Sequence, residues 1–244
     1  MTASFTTDNR ESAMRVLFLL LCSLLTTSIA DHCFAQTSGG KSRVQAVSPL
    51  TLSALAAKAD LVAVAQVKDT DYVFTRSFPS EGSAFLQLLI TYKKNKPGEE
   101  IVEVYEKGLH PHECYFENPT VLEEGRRFLV FFRLDEQDPE IYRGLPEGCA
   151  LEILVTGDNR YALRFPLKGM DIADELEQLA TEYDFRDSYA VFDDDSISPS
   201  EREELLDRGL IKPYQGKFKY THGIDLTTAR NLISAEALKS KRNW

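Results

Sequence analysis

The chain has 244 residues, 43% hydrophobic and 27% charged, with 28 basic against 38 acidic residues and a net charge of −10. That much apolar material supplies a buried core and excludes a wholly unfolded or fibrous chain. A negative sheath repels phosphate backbones, which argues against a nucleic-acid partner.

Met14 to Ile29 read MRVLFLLLCSLLTTSI: one arginine, an apolar run from Val16 to Leu25, then small polar residues. The run is too short to span a bilayer as a mature helix, and its layout is that of a secretory signal. Residues 1–35 are therefore expected to be a signal peptide cleaved after Ala35, with an uncleaved anchor as the alternative. The odd leader MTASFTTDNRESA makes Met14 a second candidate start. Neither Cys22, after Leu21, nor Cys33, after His32, follows the small residue that lipid attachment needs. The expectation is a secreted or periplasmic protein without a stable membrane span. Cleavage removes two arginines and three acids, leaving a net charge of −9. It also leaves two cysteines, Cys114 and Cys149. Two cysteines in an oxidising compartment most often pair, with two free thiols as the alternative. The bridge would close a loop of about 35 residues and contribute roughly 3–4 kcal/mol by loop entropy.

Residues 36–47 are polar, lack periodicity and read as a flexible N-terminus. Ser48-Pro49 then opens a short helix whose Leu52, Leu55, Ala56 and Ala59 share a face. Strands follow. LVAVAQV (61–67) suits a buried strand, and FLQLLITY (85–92) places Leu86, Leu88, Ile90 and Tyr92 on one side. NKPGEE (95–100) is a turn that returns the chain as IVEVYE (101–106). RFLVFFRL (127–134) alternates, and CALEILVTGDNRYALRFP (149–166) is a hairpin turning at Gly157-Asp158-Asn159, with Cys149 on the inward parity of its strand.

The pattern becomes helical after Gly169. DIADELEQLATEY (171–183), SPSEREELLDRG (198–209) and DLTTARNLISAEALKS (225–240) are the three expected helices. Ser198 and Asp225 are caps, and Gly209 is a stop. The fold class is β-rich α+β, with a β domain over 48–168 and a helical C-terminal extension over 169–244.

The run from Ala54 to Val155 resembles the netrin-like, tissue-inhibitor-of-metalloproteinases-like barrel of exported proteins. ALAAKADLVAVAQV, LLITYKKNKPGEEIVEV, Cys114, LEEGRRFLVFF and Cys149 carry the resemblance over roughly 100 residues. It implies a five-stranded OB-like barrel with a Greek-key path. Inhibitors of that family chelate their target's zinc through an N-terminal cysteine, whereas this chain, cut after Ala35, begins with Gln36. The resemblance therefore carries fold and not inhibition.

HPHEC (110–114) is the most reactive-looking stretch. His110 and His112 would share one side of a strand and, with Glu113 or Cys114, offer zinc or copper ligands. A zinc-hydrolase helix needs a histidine where Phe116 stands, and Pro111 opposes a helix. The alternative is a surface loop whose Cys114 is tied to Cys149, which requires no cofactor. DDDSISPSEREE (193–204) misses the calcium-loop spacing, with Ile197 and Ser198 at the fifth and sixth positions. No nucleophile motif is found, His222 stands alone, and Glu123, Glu124, Arg126 and Arg127 read as a solvated charged turn. Tyr72, Phe74, Phe78, Tyr115 and Phe116 form a candidate recognition rim, since aromatic side chains anchor interfaces. The function expected is non-enzymatic binding of a protein or other extracytoplasmic macromolecule, with metal binding at His110 and His112 or an envelope-accessory role as alternatives.

Overall fold

LVAVAQV opens a 15-residue strand, β1 (Leu61–Thr75), which pairs antiparallel with β4 (Arg127–Leu134) from Leu61↔Phe132 to Gln66↔Arg127. Both strands are buried on both faces there. Leu61, Ala63, Ala65, Phe128, Val130 and Phe132 belong to one apolar cluster, and Val62, Val64, Leu129 and Phe131 to a second. A strand dry on both sides reads as a continuous apolar run, which is why LVAVAQV and FLVFF show so little polar alternation. The computed structural model describes residues 50–76, 78–98, 100–107, 122–167 and 176–239, with the side chain of Phe78 excepted. They belong to one unit, Val47–Trp244.

β1 pairs on its other edge with β2 (Phe78–Lys94), β2 with β3 (Ile101–Glu106), and β3 in parallel with β5 (Tyr142–Gly144). β5 then pairs with the end of β4, closing a five-stranded barrel in the order β1-β2-β3-β5-β4. The OB-like barrel expected from the sequence is thus present. Its interior holds Leu86, Val102, Val104, Tyr142 and Cys149 with the first cluster. The Tyr142 phenol is pushed up to about 12, by burial first and then by the Asp60 carboxylate. Asp60 ties the lower end of the barrel by accepting from Leu134 N at 2.9 Å and Asn95 Nδ2 at 2.6 Å.

The sheet branches at β4. Its second half serves β5, while Arg127–Val130 pair with β6 (Ala150–Val155). From β6 the sheet continues through β7 (Tyr161–Phe165) to β12 (His222–Asp225) and β8 (Thr181–Glu182). The second cluster fills the space between this extension, the barrel wall and helix α1 (Leu52–Lys58), which buries Leu52, Leu55 and Ala56. α1 is capped by Thr51, whose hydroxyl accepts from Ala54 N, and not by Ser48, which lies outside the described residues. At its other end the buried Lys93 ammonium donates to the Ala56 carbonyl at 2.8 Å, satisfying an orphan acceptor where a cation is favoured.

The C-terminal segment is less helical than expected. Helix α2 (Pro199–Asp207) forms as read, with Ser198 Oγ accepting from Glu201 N. Within 171–183, the described part has only a single turn of 3-10 helix, Glu177–Leu179, followed by β8. Pairing of Thr181 and Glu182 with β12 overrides the helical spacing there. Helix α3 (Leu226–Asn231) is capped by Asp225 as expected but stops after six residues. Between them β10 (Ile211–Tyr214) and β11 (Lys217–Tyr220) form a hairpin, and β11 also pairs with β9 (Val191–Phe192). The turn has Gln215 and Gly216 both at positive φ, the geometry that matches strand twist in two-residue hairpins.

A buried charge cluster fastens this segment to the barrel. Arg164 Nε donates to Glu152 Oε2 at 2.6 Å, Arg126 Nη1 donates to Glu152 Oε1, and Arg126 Nε donates to Glu123 at 2.7 Å. The two guanidinium groups also stack on Tyr220 and Tyr189, each 4.8 Å from the ring centre. The charged turn read as solvated is therefore half-buried at Arg126, because its acidic partner comes from β6, 26 residues on. Tyr189 reaches over Gly125 to donate to the Glu124 carbonyl at 2.9 Å; a Cβ at Gly125 would stand 2.4 Å from its hydroxyl. Removing the shared carboxylate strands the buried Arg164. Glu152→Ala should lower the unfolding free energy by about 3–5 kcal/mol in urea titration. Arg126→Gln, at the more exposed member, should cost less.

Candidate functional site

Among the described residues, the β1–β2 hairpin projects beyond the barrel. Its first half is wall; from Lys68 onward the sequence turns polar, KDTDYVFT, and burial falls away. β3 covers β2 only from Gly82 to Gln87, so the pairs Val73↔Glu81, Phe74↔Pro79 and Thr75↔Phe78 extend past the last rung with β3. Of the four register shifts between β1 and β2, two, at Val67/Asp69 and Val73/Phe74, bend and twist the arm. Gly82, opposite Tyr72, has φ +139°, and a Cβ there would meet the Asp71 carbonyl oxygen at 2.1 Å. No side chain fits that approach, so the glycine sets the arm's path.

The arm is anchored at its base and apolar at its tip. Tyr72 packs on the barrel core, and its hydroxyl donates to the Leu122 carbonyl at 3.2 Å. Burial, reinforced by the Glu106 and Glu123 carboxylates, pushes that phenol well above its ordinary value, so it stays a donor. Phe74 meets Tyr72 edge-on at 6.4 Å between ring centres. Ser80 Oγ donates to the Val73 carbonyl at 3.0 Å and ties the tip. Val73 is nevertheless 54% exposed and Phe74 60% exposed. These are large apolar side chains exposed on a projecting hairpin, with Arg76 and Glu81 as their charged neighbours at the tip.

The five rim residues read from the sequence therefore separate. Tyr72 and Phe74 come together on the arm, Tyr72 as anchor and Phe74 as exposed tip. Phe78 opens β2 opposite Thr75. Tyr115 and Phe116 lie outside the described residues, as do His110, His112 and Cys114. The chain enters that stretch beside Glu106, which pairs with Gly82, and leaves it at Leu122, under Tyr72. Cys149 is fully buried in the barrel interior, the face its parity indicated, and its carbonyl accepts from Phe131 N. Among the described residues no three His, Cys, Asp or Glu side chains group as metal ligands. Asp193 and Asp194 are instead paired with Lys217 and Arg202. His222 Nδ1 lies 2.9 Å from Thr221 Oγ1 on β12. No helix among the described residues is long and apolar enough to cross a membrane.

The β4–β5 loop, which meets Lys96 of the β2–β3 turn at the end of β3 away from the arm, is fixed by one carboxylate. Asp135 accepts from Arg143 Nε at 2.6 Å and from the backbone of Gln137 and Asp138 at 2.8 Å. These donors, Arg143 foremost, hold its carboxyl down at about 2. A depressed folded-state value means that the stabilisation is fully present above the ordinary carboxyl range and is lost as pH falls toward 2. In urea titrations, Arg143→Met should therefore lower stability most above pH 4. The gap to wild type should narrow between pH 4 and 2, leaving a remainder from lost stacking on Tyr105.

No family model, no curated protein and no solved structure matches this chain.

Proposed function

We propose that this chain is an exported, non-enzymatic binding protein of netrin-like build, which engages a protein partner through the tip of its β1–β2 hairpin. The exposure of Val73 and Phe74 on a braced arm carries this reading. An aromatic ring on a preorganised strand buries much area while losing little conformational freedom, which is how interface anchors contribute most of their affinity. The bulges, the Ser80 tie and the Tyr72 anchor supply that preorganisation. The signal-like N-terminus supports export, and the oxidising compartment supports a Cys114–Cys149 bridge. Such a bridge would tie the stretch between Lys107 and Leu122 to the barrel interior at Cys149. Metalloproteinase inhibition is not carried over, since no cysteine stands at Gln36.

A photo-reactive residue placed at Phe74 should cross-link one species in the producing organism's exported fraction, and the same probe at Tyr214, another exposed aromatic, should not. Val73→Asp should reduce that adduct about tenfold or more while leaving the unfolding midpoint near wild type. Equal labelling from both positions, or an adduct indifferent to Val73→Asp, would sink the reading. Non-reducing peptide mapping should recover Cys114 and Cys149 in one linked fragment; recovery of either with an alkylated thiol would remove the bridge.

A further inference from the structure

A second surface, on the sheet extension and away in sequence from the hairpin, has the composition of an anion site. A cleft of about 450 Å³ opens where the end of β6, the β6–β7 turn and residues 186–188 meet. Its frame is fixed by backbone. Arg186 N donates to the Val155 carbonyl at 3.0 Å, Gly157 N donates to the Asp184 carbonyl at 2.6 Å, and Thr156 bridges to Phe185. Asn159 holds the turn at φ +63°.

The cleft is lined by two guanidinium groups, Arg127 and Arg186, by Asn159, Tyr161 and Ser188, which can donate as well as accept, and by one carboxylate. The one carboxylate, Asp187, is occupied. Its Oδ1 accepts from Tyr189 N and its Oδ2 from Val155 N, both at 3.2 Å, and its side chain is only 6% exposed. It meets Arg127 Nη1 at 3.4 Å, long for a charge-assisted bond, which ordinarily spans about 2.7–2.9 Å. Arg127 Nε, buried, has no partner among the described residues. Arg186 donates through Nη1 to Asn159 Oδ1. That contact orients the amide so that Asn159 turns its remaining group, a donor, to the surroundings. Two guanidinium groups thus line one shallow cleft with a single carboxylate, which meets Arg127 only at long range, while Arg186 is held by Asn159. A water can accept from such donors, but an oxyanion accepts from several at once and balances the residual positive charge.

We infer that the Arg127–Arg186 cleft binds a small oxyanion, a carboxylate or phosphate group borne by a soluble ligand. Arg127 supplies one guanidinium to it, and Arg186, Asn159 and Ser188 supply the other lining donors. This inference rests on different residues from the hairpin reading and stands or falls separately from it.

The test is calorimetric titration of the purified full chain with inorganic phosphate and, separately, with succinate, at constant ionic strength held with chloride. At least one anion should bind saturably with a Kd below about 10 mM. Which of them binds separates the phosphate from the carboxylate source. Arg186→Gln, on an exposed side chain, should weaken binding about tenfold or more with little change in unfolding midpoint. Arg127→Gln should weaken binding likewise but also lower the unfolding midpoint, since it removes the cation beside the buried Asp187 carboxylate, and Val73→Asp on the hairpin should leave binding unchanged. The inference is overturned if neither anion saturates in that range, or if Arg186→Gln and Arg127→Gln bind as tightly as wild type.

Discussion

The pairing of β1 with β4 is the constraint on which the remaining architecture depends. Six consecutive rungs, Leu61↔Phe132 to Gln66↔Arg127, place apolar side chains on both faces of the same two strands. One face closes a barrel and the other must find a second cover. Burying a phenylalanine is worth roughly 1.5–3 kcal/mol, so Phe128 and Phe132 inside and Phe131 outside make neither face dispensable. The cover is built from α1, β6, β7 and the segment after residue 176, all of which contribute to the cluster around Phe131. The C-terminal segment therefore completes the core on the outer side of the barrel wall.

Two cores sharing a wall need a fixed relation between their covers, and Glu152 sits where that relation is set. It lies on β6, between the Arg126 turn before β4 and Arg164 on β7, and it accepts from both. Charges this deep are expensive to desolvate, so they persist only where geometry and additional donors and acceptors compensate. Here the compensation is visible: Arg164 also donates to the Pro166 carbonyl at 3.2 Å, and its guanidinium lies on Tyr220 from β11. An apolar trio of similar volume would pack the same space without specifying how β11 lies on β7. The charged cluster fixes that arrangement through direction as well as contact.

What was legible in the sequence follows from this arrangement. Alternation and apolar runs located β3, β4, β6 and β7, because those strands are short and their burial is uniform along their length. The same signal gave only the buried half of β1 and β2. KDTDYVFT and FPSEGSA turn little beyond Tyr72 and Ala84 to the core, too little to distinguish a projecting strand from a loop. β5 is three residues, YRG, and becomes a strand only because β3 and β4 are there to receive it. The β10–β11 turn uses Gln-Gly where Asn-Gly would have announced it. Of the candidate site, Tyr72 and Phe74 were readable as aromatic residues near a strand end. That one would anchor and the other protrude depended on Leu122, fifty residues away. Arg127 and Arg186 were unreadable as a pair, since 59 residues separate them and the second reaches the cleft through non-local backbone contacts of residues 184–186 with residues 155–157.

A donor-lined cleft on a chain with a net charge of −10 is not a contradiction. Net charge governs the field at distances where salt screens it; at physiological ionic strength that screening length is about 8 Å. Within a cleft the nearest groups dominate, and here the nearest carboxylate, Asp187, has its oxygens engaged by backbone N–H groups. The wider acidity acts on approach: it repels polyanions, whose many charges feel the whole surface, far more than a single carboxylate or phosphate, which feels chiefly the site. The proposed site therefore asks only for a compact anion, which would feel chiefly Arg127 and Arg186. At the hairpin tip, by contrast, Val73 and Phe74 expose apolar area beside Arg76 and Glu81, so the proposed contact there would combine apolar burial with charge.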